Sequence, residues 1–168
     1  MSVGTADLYK ALNVAWDASD LDDLFKALWL PAAVIADEYP VLNDQEGLGG
    51  QPWPYVVIDE VGSSTVSRMS YGPDSLYEIR DVEVRFNVHA RDIESDSRGA
   101  KEIAAYLAEE IMKVFGGHPT VNPTGSMALD NGDHLITQFQ NDYCIRDGDD
   151  EYMWIVQYLF RLDVPVAV

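Results

Sequence analysis

One cysteine, Cys144, stands in 168 residues, and basic residues are almost as scarce. Without a second thiol an intramolecular disulfide is excluded, which fits synthesis in a reducing compartment and leaves stability to a buried core. Four lysines and seven scattered arginines face twenty-nine Asp and Glu, a formal charge of −18. Nucleic-acid affinity rests largely on Lys and Arg neutralising phosphates, so no basic binding stripe is available. Anionic membrane surfaces are disfavoured for the same reason. No window holds the ~18 apolar residues that a membrane span requires. The start, "MSVGTADLYKALNVAW", lacks the basic-then-apolar pattern of a secretory signal. Such a charge suits a protein that must lie near DNA without sticking to it, and equally one in which it secures solubility.

What is present is an ordinary globular composition, 47% hydrophobic, in a length that predicts one domain over 1–168. Residues 1–52 read as a helical N-terminal part with a loop, and 53–165 as a sheet-and-helix core. Leu8, Leu12 and Trp16 form one helical stripe. "SDLDDLFKALWL" follows, with Ser19 and Asp22 spaced as a capping box and Leu21, Leu24, Phe25, Leu28 and Trp29 on one face. Pro31 should stop that helix. The Gly- and Pro-containing stretch 40–54 is expected to be a loop.

"PYVVIDEV" reads as a buried strand, four apolar residues rich in β-branching. The polar "GSSTVSRMSYGPDSLYEIR" then predicts a hairpin with an unusually long arm or loop, a length that often serves a partner. After it the chain alternates strictly. Val82, Val84, Phe86, Val88 and Ala90 take one side, and Glu83, Arg85, Asn87, His89 and Arg91 take the other. From Ser97 the apolar spacing becomes helical, with Ile103, Leu107, Ile111 and Val114 or Phe115 inward, Glu102, Glu109, Glu110 and Lys113 outward, and Gly116-Gly117 as the stop. Asn131-Gly132 in "MALDNGDHLITQF" predicts one hairpin turn. "YCIRDGDDEYMWIVQYLFRLDV" predicts a second, turning at 147–150, with Trp154, Val156, Tyr158, Phe160 and Leu162 on one face and Ile155 and Leu159 on the other. The order α,α,β,β,α,β,β,β implies an α+β fold, a mostly antiparallel sheet of about four to five strands with helices packed on one face.

The residues carry little chemistry. His89, His118 and His134 are isolated from one another in sequence and read as surface residues, because His acts as base or ligand only beside a positioned partner. Cys144 has no neighbouring His or Lys to activate it and reads as a small buried hydrophobe. "RDGDDEY" gathers Asp147, Asp149, Asp150 and Glu151, yet its spacing is not that of an EF-hand loop, and a solvated turn explains it. "GLGG" at 47–50 precedes no helix and no Lys-Ser or Lys-Thr, so it makes no phosphate cradle. No catalytic residue, metal site or cofactor is expected. The rivals are a small hydrolase or metal-dependent enzyme, for which "DGDD" is the sole argument, and an acidic DNA mimic, which the scatter of carboxylates over loops and helices weakens.

Over about residues 53–165, the succession of "PYVVIDEV", the charged strand ending "FNVHARD", the helix near "SRGAKEIA" and "LITQFQNDYCIRDGDDEYMWIVQYLFRLDV" resembles the bacteriophage tail terminator proteins and the related head–tail joining and tail-completion proteins. The longer N-terminal part and the long 62–80 connection depart from the compact pattern and leave a neck or stopper component as the neighbouring assignment. The resemblance implies a virion protein, made in the host cytoplasm and placed at the head-proximal end of the tail. It would form a ring, usually a homohexamer, on the last ring of the major tail tube protein, stop polymerisation and meet the head–tail connector or stopper. Genomic DNA would pass through its lumen without specific binding, and no membrane is involved. On this resemblance the candidate subunit or partner interface comprises Glu83, Arg85, His89 and Arg91 of the strand, Arg68, Met69 and Tyr71 of the long connection, and Asp147, Asp149 and Asp150 of the turn.

Overall fold

The alternation at 82–90 marks the middle of the sheet. In the computed structural model, which describes residues 3–29, 39–44, 50–72, 75–93, 96–123 and 135–166, these residues lie on the strand that joins both halves of the fold. The elements are α1 (Val3–Asp17), α2 (Leu21–Lys26), β1 (Leu42–Asn43), β2 (Tyr55–Gly72), β3 (Ser75–Arg91), α3 (Ala100–Phe115), β4 (Leu135–Arg146) and β5 (Glu151–Val166). The five strands run in the order β1-β2-β3-β5-β4. Among the described residues only the short β1 pairs parallel, against Val56 and Val57 of β2, and the other strand pairings are antiparallel. The fold is α+β.

From Val82 to Ala90 the inner side of β3 is wholly apolar and shares the core with Val56, Val156, Tyr158, Phe160 and Leu162. Helix α3 lies against it through Ile103, Ala104, Leu107, Ala108, Ile111 and Phe115, spaced three and four apart as one face of a helix requires. Leu8, Leu12 and Trp16 of α1, together with Leu21, Phe25 and Trp29, belong to the same cluster. Trp29 also donates its indole N–H to the Pro54 carbonyl at 2.8 Å, tying the end of the helical part to the start of β2. Rings hold the centre: Phe86 stacks on Phe115 at 4.8 Å and meets Tyr158 edge-on at 5.8 Å.

Local chemistry sets the ends of the helices. The first N–H of α3, on Ala100, is taken by the Asp92 carboxylate at 2.7 Å, so the helix starts three residues later than the expected Ser97. Gly116 and Gly117 end it with φ of 126° and 96°, where a side chain would be strained. The buried Tyr158 hydroxyl donates to the Gly116 carbonyl at 2.7 Å, satisfying a helix-end acceptor that would otherwise be orphaned.

Two expectations are corrected and two are made definite. Of the arm or loop expected at 62–80 the structure has the arm: β2 runs to Gly72, β3 starts at Ser75 and β5 pairs alongside to Val166, so three strands continue beyond the buried core segment of β3. Serine and threonine lack the apolar alternation that reveals a strand, but they pair well once a neighbouring strand supplies the ladder. "LITQF" and "YCIR" fall on one strand, β4, shared by the two expected hairpins and broken by a bulge between Phe139 and Asn141; the Asn131-Gly132 turn lies outside the described residues. The capping box does not form. Ser19 Oγ donates to the Trp16 carbonyl instead, and Asp22 accepts from the Trp16 indole. Helix α2 ends at Lys26, ahead of Pro31, which lies outside the described residues.

Candidate interface on the outer sheet face

Directly paired residues share a face, so the register maps the side of the sheet away from the helices in rows. One row is Tyr55, His89, Met153 and Ile145; the next is Val57, Asn87, Ile155 and Tyr143. Then come Asp59, Arg85, Gln157 and Asn141, and nearest the arm Asp81 lies beside Arg161. The face therefore has an aromatic and apolar patch in its first two rows, flanked by charge on both sides, Arg91 and Glu151 at one end and Asp81 and Arg161 at the other.

The aromatic end is built from the residues just before β2. Tyr55 stacks on His89 at 4.7 Å with the rings 9° from parallel, and Trp53 meets both edge-on. The Arg91 guanidinium lies 3.8 Å over the Trp53 ring and donates to Glu151 at 2.8 Å. Stacking and ion pairing together orient this arginine more firmly than either does alone. Asp147 approaches His89 Nδ1 at 4.0 Å from the turn between β4 and β5. That turn is closed by backbone bonds, with the N–H groups of Asp147 and Gly148 donating to the Glu151 carbonyl. Arg146 adds bonds to the carbonyls of Gly148 and Asp149.

The candidate residues thus separate into groups. His89, Arg91 and Asp147 meet at one end, and Asp149 and Asp150 sit exposed on the adjoining turn. Glu83 and Arg85 are half-buried in the middle. Arg68, Met69 and Tyr71 belong to β2 in the arm, with Arg68 paired to Glu78 and Met69 to Tyr77; their side chains are outside the described ones. From His89 to Tyr77 is about 40 Å along the strand, so these are two surfaces and not one site.

His89 is not the surface residue its sequence position suggests. It is 9% exposed, because its cross-strand partner is an aromatic ring and a tryptophan edge closes over it. His118 serves a turn, its Nδ1 accepting from the Val121 N–H at 3.2 Å, and His134 lies outside the described residues. Cys144 is half-buried rather than buried, and desolvation pushes its thiol pKa up despite the opposing charge of Lys101. Arg161 is held protonated by its hydrogen bonds to Asp81. Trp53 and Tyr55 were not singled out from sequence and Glu151 was read only as part of a solvated turn; all three matter through contacts across strands far apart in the chain. Among the described residues no group of three or more His, Cys, Asp and Glu is arranged to hold a metal ion. No helix among them is long and apolar enough to cross a membrane.

No protein-family model matches the chain, and no curated protein matches it. Among solved structures it is similar to a chain of the "Virion of native gene transfer agent (GTA) particle", covering 98% of this chain and 100% of that one, with a TM-score of 0.55 at 14% identity. At that identity the likeness shows a shared fold. It includes the N-terminal helices as well as the sheet.

Proposed function

We propose that this chain is a structural protein of a virion, and within that class a tail terminator. It forms a ring on the end of the tail tube, halts tube growth and presents a surface to the head connector. The reading is carried by end-to-end likeness to a chain of a gene transfer agent virion, with nothing substantial left over in either chain. The order of strand, charged strand, helix and acidic-turn hairpin, which resembles the terminator proteins, supports the finer assignment.

The arm fits this role. Three strands continue past Val82, the last buried core residue of β3 in that direction among the described residues, for roughly 25 Å. A protruding sheet of this kind gives a small subunit reach across a boundary to a neighbour or to the tube. The charge of −18 suits a wall past which DNA slides without being held. No side chain is assigned a chemical step.

Interrupting the gene in the particle that encodes it, followed by electron microscopy, tests the reading. Overlong tails, or tails without heads, are expected, with rescue by the wild-type chain and by Cys144→Ser. Tails of normal length on full heads would refute it.

A further inference from the structure

The sheet has two edges, one formed by β1 and the part of β2 that runs beyond it and the other by β4, and they are treated differently. β2, beyond its short pairing with β1, slips register against β3 at Glu60/Gly62, Thr65/Ser67 and Ser70/Gly72. Each slip leaves an extra residue that curls the strand, the device by which natural sheets deter the addition of another strand. β4 pairs only with β5 among the described residues, and from Asn141 to Arg146 its register is unbroken. That stretch has no Pro, Gly or Lys, and it carries Tyr143 at 36% and Ile145 at 41% exposure, two of the most exposed large apolar side chains described. Among the described residues no strand covers this stretch and no bulge breaks it, and its two charges, Asp142 and Arg146, are of opposite sign.

The sequence of this edge, Asn-Asp-Tyr-Cys-Ile-Arg, is complementary to itself. Laid antiparallel on a second copy about Cys144, it sets Asp142 opposite Arg146 twice and Tyr143 opposite Ile145 twice, with Cys144 facing Cys144. Opposite charges and aromatic–β-branched pairs are the cross-strand combinations that stabilise antiparallel ladders. Both charged groups can take a partner. Asp142 uses Oδ2 for the Trp154 indole, while Arg146 is 61% exposed and has five N–H donors. We infer that two copies of this chain pair through their β4 edges, antiparallel about Cys144, as a reversible two-fold dimer that closes the edge in the free protein. A segment of six residues is smaller than a standard interface of ~800 Å² per partner, so the dimer is transient and is best trapped. The pairing rests on the edge and not on the ring, so either reading can fail while the other stands.

Facing residues of an antiparallel pair lie ~4.5–5.5 Å apart at Cα, inside the range that a disulfide spans. The full-length protein is treated with diamide, which takes up the two protons and two electrons that two thiols lose on forming the disulfide. Products are read on non-reducing gels over a concentration series, with circular-dichroism melts as a check on folding. A covalent dimer is expected from the wild type and none from Cys144→Ser. Asp142→Arg, which sets like charges opposite each other, should cut the dimer yield about five-fold or more, and Asp142→Arg with Arg146→Asp should restore it to within about two-fold. Ile145→Lys gives a second disruption at an exposed position and should lower the yield to a similar degree. Absence of a wild-type dimer, or a yield that neither Asp142→Arg nor Ile145→Lys changes, overturns the inference and leaves the edge to a strand from another protein.

Discussion

Phe86→Ala removes the ring on which the layers of the fold converge. Phe86 has no exposed surface, stacks on Phe115 of α3, meets Tyr158 of β5 edge-on and lies 6.4 Å from Trp16 of α1. Truncating a buried phenylalanine costs about 3–5 kcal/mol. Two close ring pairs, each contributing ~0.5–1.5 kcal/mol beyond area burial, put this position at the upper end, about 4–5 kcal/mol. In urea, where a protein of this size loses roughly 2 kcal/mol per molar denaturant, the midpoint should fall by about 2 M. Glu83→Ala, three residues away on the same strand but on the outer face, should cost less than about 0.5 kcal/mol. Urea melts of both variants with far-UV circular dichroism provide the measurement. Losses within about 1 kcal/mol of each other would show that the core is not centred where the rings indicate. Tryptophan fluorescence on the same samples adds a test of organisation. Trp16 and Trp29 are buried in the cluster that the sheet shares, so their transition should coincide with the dichroism if the helical part and the sheet unfold together.

Tyr158→Phe should cost about 1–3 kcal/mol, because it leaves the buried Gly116 carbonyl without its donor; a smaller loss in the same melts would mean water replaces the hydroxyl. Burial also drives the Tyr158 pKa well above its ordinary value of 10.0, so the folded state retains a proton that the unfolded state gives up. The contribution of this residue to stability should therefore be full below about pH 10 and be lost above it, and its phenolate absorbance should appear only with unfolding. Gly117→Ala places a Cβ 2.5 Å from the Phe139 ring at a φ of 96°, and should cost at least about 2 kcal/mol; a near-neutral melt would refute the strain argument. Asp92→Ala should remove about 0.5–2 kcal/mol by stripping the cap from α3, with Asp92→Asn recovering most of it; equal loss in both would point away from the Ala100 N–H.

Most of the fold was legible because its core elements are periodic. The alternation of 82–90, the three- and four-residue spacing of α3 and the face formed by Trp154 to Leu162 each needed only local pattern, and each is on the expected side. The arm was not legible as strand, since Gly62, Ser63, Ser64, Thr65 and Ser67 hold no apolar pattern and are strand only through pairing with β3. Helix starts were misread where a distant carboxylate does the capping, as Asp92 does for α3. The candidate interface was half legible. His89 and Arg91 could be placed on the outer side of their strand by parity alone. That Tyr55, Trp53, Glu151 and Asp147 gather round them depends on the β2–β3 and β3–β5 registers, which no local window contains.

The outer ion pairs explain why so acidic a chain keeps arginines where it does. Arg91–Glu151 and Arg161–Asp81 bridge β3 and β5 at opposite ends of the face, and both arginines are close to half-exposed. Pairs this wet add little to stability, typically under about 1 kcal/mol, and salt screens them further. Their placement matters more than their energy. β3 and β5 share the longest unbroken register in the sheet, and with β2 they carry the arm beyond Val82, where no core residue of β3 is described to hold register. A slip of one residue would turn every inward side chain of β5 outward. It would also set Asp81 and Glu151 opposite the wrong neighbours. Two arginines, one at each end of the core segment, therefore penalise the slipped pairing from both sides, and the arm leaves the core in a defined direction toward whatever it meets.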